Sequence, residues 1–151
     1  MTILKEKKLD ENVPRADDKI MALLVEVGEL ANEIRFFKYW SNKPPSAKEI
    51  ILEEYSDCMH FLISIGNEKG FDEIIENYNY KSEDAFTINL SFQYLYKSIV
   101  DFRMLPVYSA YLDMWDRLLY IGELLEFSIE DIEKAYLNKN NTNFKRQEQG
   151  Y

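Results

Sequence analysis

The 151-residue chain has one cysteine, one histidine, five glycines and four prolines, and each scarcity excludes something. With Cys58 alone, no intrachain disulfide can form, and a reducing cytoplasmic compartment is expected. With His60 alone, no di-iron carboxylate bundle can be built within one subunit. Such a bundle needs a carboxylate-x-x-His pair on each of two helices, and Asp57-x-x-His60 supplies only one. Few glycines and prolines leave few turns, so a small number of long elements is expected. Basic residues are outnumbered, 18 Lys and Arg against 27 Asp and Glu. The resulting net charge of −9 argues against binding nucleic-acid polymers, which rests on basic surfaces that displace counterions. No apolar run approaches the ~18 residues of a membrane span, and the charged N-terminus is unlike a signal peptide. There is no Gly-rich phosphate loop, no G-x-S-x-G and no nucleophile motif around Cys58, which reads as a core residue.

What is present is helical periodicity. Ile20, Leu23, Leu24, Val27, Leu30, Ala31 and Ile34 form one stripe, predicting a helix over 17–39 that ends at Pro44-Pro45. Ser46, with Glu49 three residues on, reads as a capping box for a second helix carrying Ile50, Ile51, Tyr55, Cys58, Phe61, Leu62 and Ile65, fading at 66–70. A short helix within 71–80 is expected, then helices over 86–103 and 106–125, the latter with Pro106 in its first turn. Ser128 and Asp131 cap a last helix over 129–140, and the polar segment beyond 138 has little apolar pattern. No alternating strand and no internal repeat is visible. The expected architecture is one all-α domain over 1–151, a bundle of about five to seven helices.

Acids interrupt the apolar stripes at two places. Glu26 and Glu29 stand three apart, as do Glu54 and Asp57, so each pair occupies one helix face. Joined by an antiparallel hairpin, Glu29 lies ~16 Å before the turn and Asp57 ~16 Å after it, at one level. Like charges embedded in apolar helices are costly unless a cation neutralises them, and four oxygen donors without thiolates suit Mg²⁺ or Mn²⁺. The alternative for either pair is a solvated acidic face. Glu53, four residues before Asp57, competes with Glu54 for the assignment, and Glu33 extends the first acidic face. His60 reads as a packed, hydrogen-bonded residue rather than a ligand.

The stretch Leu23 to Glu33, then Phe37-Lys38-Tyr39-Trp40-Ser41, then Glu53-Glu54-Tyr55-Ser56-Asp57 with His60-Phe61, resembles the dimeric, all-α dUTPase family. That family sits within the MazG-like NTP pyrophosphohydrolases, whose signature is E-x-x-E followed by E-x-x-D. The tail Lys139 to Tyr151 is similar to the family's closing K-N-x-x-N-x-x-R-Q-x-x-G-Y motif, the more specific of the two signals. The resemblance implies Mg²⁺-dependent hydrolysis of dUTP, with dUDP a further candidate, to dUMP and pyrophosphate in a homodimer. It assigns Glu26, Glu29, Glu54 and Asp57 to the metal. Glu26 becomes the base for a water attacking at the β-phosphorus, with Glu29 as second choice. Lys139, Asn143, Arg146 and Tyr151 are implied to close over the phosphates, and Trp40, Phe61 and Lys38 to line the base and sugar pocket. The family offers a Gln to the base ahead of a Leu-Asp pair. Here Glu6 stands ahead of Leu9-Asp10, and a carboxylate cannot donate as an amide does. Asn32 reads as a surface or supporting residue. Two other readings stay open: a related pyrophosphohydrolase for another nucleotide, and a helical interaction protein whose acidic faces are merely solvated.

Overall fold

A computed structural model of the chain describes residues 14–71 and 85–150. The readings placed on Glu6, Leu9-Asp10, the 72–80 part of the expected short helix and Tyr151 fall outside them, as does the side chain of Asn143. Among the described residues five helices follow one another: α1 (Ala16–Ile34), α2 (Lys48–Lys69), α3 (Ile88–Met104), α4 (Tyr108–Leu124) and α5 (Ile129–Glu148). No strand occurs among the described residues, so the all-α expectation stands.

The first four helices form an antiparallel bundle whose order around the axis is α1, α2, α4, α3. The apolar stripes read from the sequence are the surfaces it buries. Leu23, Val27, Leu30, Tyr55, Cys58, Leu62, Leu95, Ile99, Phe102, Met114, Leu118 and Ile121 are at most 2% exposed. Each such side chain contributes about 1.5–3 kcal/mol by leaving water.

Two tyrosines tie the hairpins together reciprocally. Tyr55 of α2 donates to the Leu118 carbonyl of α4 at 2.9 Å, and Tyr111 of α4 donates to the Leu62 carbonyl of α2 at 2.9 Å. Each phenol rests where the partner helix has a glycine. A Cβ at Gly122 would stand 2.6 Å from the Tyr55 hydroxyl, and one at Gly66 would stand 2.1 Å from that of Tyr111. Tyr, Leu seven on and Gly four further is thus a spacing shared by both helices.

Several boundaries differ from those the sequence suggests. The first helix stops at Ile34, because Arg35 adopts a left-handed conformation (φ 68°). Its guanidinium holds the connection by donating to Ser41 Oγ (2.9 Å) and the Lys43 carbonyl (3.2 Å). Phe36, which reads as helix, instead turns inward against Phe92, ring centroids 4.9 Å apart. The Ser46–Glu49 capping box does not form; Ala47 is the N-cap. Ser46 is engaged by Glu33 instead, through its hydroxyl to the carboxylate and its N–H to the Glu33 carbonyl (2.9 Å). Pro106 lies before α4, whose N-cap is Val107. Ser128 and Asp131 do cap α5 reciprocally, at 3.0 and 3.3 Å. That helix runs eight residues past 140, with no Gly or Pro to stop it and with Lys145 and Arg146 in a last turn that favours cations.

Candidate active site

The α1–α2 hairpin aligns the two acidic pairs because its ends are pinned. Glu33 meets Ser46 at the turn, and Lys19 pairs with Glu68 (2.6 Å) at the open end. Between those points, oxygens of Glu26, Glu29 and Glu54 converge to within 4.8 Å of one another. Asp57 adjoins them, and its charge acts on both Glu26 and Glu54. One of its oxygens lies 3.3 Å from the Lys139 ammonium. Glu53 stands outside the group, exposed, holding the same ammonium at 3.2 Å.

The cluster is electrostatically unfinished. Glu26 Oε2 and Glu54 Oε2 are buried without a hydrogen-bond partner. Burial first, then the charges of Asp57, Glu29 and Glu54, push Glu26 up from 4.5 to about 8. Burial and the neighbouring carboxylates push Glu54 up to about 7. Asp57 is also raised, burial outweighing the lowering by Lys139. Orphaned buried oxygens and carboxylates that resist ionisation are what a hard divalent cation would relieve, so the donor set fits one. For Lys139 burial acts downward, but Asp57 and Glu53 outweigh it and raise its pKa.

Of the other residues singled out in the sequence, Lys139 reaches the carboxylates. Position 143 and Arg146 follow it along α5, the latter exposed in the last turn. Trp40 is 65% exposed at the hairpin connection, edge-on to Phe37 at 6.1 Å, and Lys38 Nζ lies 5.7 Å from the Phe37 ring. Phe61 is half-buried against the core. His60 stacks on Tyr136 (4.2 Å) with Nε2 3.4 Å from that residue's carbonyl, and burial lowers its pKa. Cys58 is buried among core residues, where desolvation pushes its thiol up.

A cleft of about 530 Å³ opens beside Glu29 between α1 and α3. Asn32, Phe36, Phe37, Asn89, Gln93 and Tyr96 are among its walls. The α3 residues carried no signal in the sequence, since an amide on an exposed helix face looks like ordinary surface. Gly28 could have pointed there. It lacks the Cβ that would stand 3.1 Å from the Tyr96 hydroxyl, which in turn donates to the Leu24 carbonyl at 3.3 Å.

An all-α bundle whose first hairpin presents E-x-x-E against E-x-x-D is the arrangement of the helical nucleoside triphosphate pyrophosphohydrolases. Within that class, the family model described as dUTPase matches residues 1–151, and the chain belongs to that family, the dimeric all-α dUTPases. It is a dUTP diphosphatase, converting dUTP to dUMP and pyrophosphate. No curated protein matches the chain. Among the described residues no helix is long and apolar enough to cross a membrane.

Proposed function

We propose that the reaction runs at the carboxylate cluster, with Glu26, Glu29, Glu54 and Asp57 holding Mg²⁺, for which Mn²⁺ can substitute. The observation that carries this reading is the pair of buried, unpartnered oxygens on Glu26 and Glu54 within a convergent acidic group. When bound, the cation supplies charge neutralisation to the phosphate oxygens and acidity to water. Glu26 is the base. It stands in the convergent carboxylate group, where a water ordered beside the cation would lie within reach. Glu29, whose oxygens converge with those of Glu26, is the second choice of base.

Lys139, Asn143, Arg146 and Tyr151 are assigned to the triphosphate. A lysine point charge and a planar arginine fork are suited to phosphate oxygens, and helical spacing puts the first three positions along one side of α5. Trp40, Phe61 and Lys38 are assigned to the base and sugar. The cleft beside Glu29 adds Asn32, Asn89 and Gln93, neutral amides that both donate and accept toward a pyrimidine edge. The enzyme is proposed to act as a cytoplasmic homodimer on free nucleotides rather than nucleic-acid polymers.

The test is a panel of deoxy- and ribonucleoside triphosphates with and without Mg²⁺, products separated by chromatography. Mg²⁺-dependent release of dUMP and pyrophosphate is expected, with dTTP and dCTP rejected, and Glu29→Gln should lower turnover by roughly 10²-fold or more. Metal-independent turnover, or full activity in Glu29→Gln, would sink the metal assignment.

A further inference from the structure

Helix α5 packs on α2 and on no other described helix. Three polar or aromatic contacts are spaced along that seam. Lys48 pairs with Asp131 at 3.0 Å near the start of both helices, and Tyr136 and Lys139, near the middle of α5, meet His60 and the Glu53–Asp57 pair of α2. The first is exposed at both partners, where solvent screens it and it contributes little. The last is different in kind. The Lys139 side chain is only 12% exposed and that of Asp57 only 15%, and their contact lies at the edge of the group formed by Glu26, Glu29 and Glu54.

Lys139 thus brings a fixed positive charge to the place where a divalent cation would sit. A divalent cation drawn to Asp57 would repel the ammonium already held there at short range and compete with it for the same carboxylate. Building on the metal reading above, we infer that Lys139 is the resident counter-cation of the metal-free enzyme, and that a divalent cation entering the cluster displaces it from Asp57 and loosens α5 from α2. Glu53 lies outside the cluster and more than half exposed, so it gives the displaced ammonium a seat within reach of solvent and of incoming phosphates. Metal binding then readies the phosphate-contacting helix before any nucleotide arrives. Charge exchange at one residue is the trigger.

The experiment uses the full chain with Mn²⁺ and no nucleotide. Amide hydrogen exchange is followed over residues 129–148, and Mn²⁺ affinity is read from the electron paramagnetic resonance of the free ion. In the wild type, saturating Mn²⁺ should speed exchange in the 135–142 segment several-fold over the chelated protein. Lys139→Met should bind Mn²⁺ roughly tenfold more tightly, and its α5 should exchange fast with or without the ion. Lys139→Gln gives a second variant with the same expected outcomes should the first not fold. Unchanged or slower α5 exchange with Mn²⁺, or no gain in affinity when Lys139 is removed, would overturn the exchange while leaving the metal site intact. A wild type that binds no Mn²⁺ would remove both readings.

Discussion

Replacing Glu26 by Gln should stabilise the metal-free enzyme while removing its activity, the reverse of what most substitutions at well-packed positions do. The sign follows from the elevated carboxyl. Its folded value of about 8 lies above the unfolded 4.5, so the folded state holds the proton more tightly. The associated stability is fully present below pH 4.5 and is lost as pH rises through 8. Taken at face value, that loss is about 3 kcal/mol at pH 7 and about 5 kcal/mol above pH 8. Glu26 is only part-buried, so solvent screening reduces the expected figure to about 1–2 kcal/mol. In a domain of this size that is ~3–6 °C in Tm. Thermal unfolding in chelator should therefore show Glu26→Gln level with wild type near pH 4.5 and several degrees above it at pH 8. With Mg²⁺ at about 100 times its dissociation constant, wild type should gain ~2.7 kcal/mol and overtake the variant. A variant less stable than wild type at pH 8 in chelator, or a difference that does not change with pH, would refute the electrostatic account of the cluster.

Two further outcomes are expected. Gly66→Ala should cost about 1–3 kcal/mol in urea unfolding, and Tyr111→Phe should not rescue it, because the added Cβ also meets the ring Cζ at 2.5 Å. Full rescue would mean that the phenol oxygen alone sets the fit. Ending the chain after Asn138 should lower dUTP turnover by roughly 10²-fold or more through lost phosphate contacts and positioning, and wild-type rates would remove the tail from the site.

The hairpin that brings Glu26, Glu29 and Glu54 together was legible because both of its ingredients are local. Glu26–Glu29 and Glu54–Asp57 are helix-face spacings, and Pro44-Pro45 marks the connection between the two helices. The helix ends were less legible, because distant partners set them. Arg35 turns left-handed where its guanidinium can hold Ser41 and Lys43 and Phe36 can reach Phe92. Ser46 leaves its capping box for Glu33. Lys139 illustrates the same limit in the site itself. Its motif points to phosphates, while its landing on Asp57 depends on how α5 lies across α2, which no spacing within α5 encodes.

Tyr55 sits between Glu54 and Asp57 in sequence, so one turn of α2 carries both a site carboxylate pair and half of the tyrosine clasp. The clasp is made of phenol donors, backbone carbonyls and glycine notches, with no carboxylate or ammonium in either hydrogen bond. The neighbouring carboxylates do titrate near neutrality, Glu26 and Glu54 being held well above the usual carboxylate range. Mechanical registration and electrical response are therefore assigned to different chemistry on the same helical turn. The charge of the cluster can change while its geometry is kept by contacts that hold no carboxylate or ammonium.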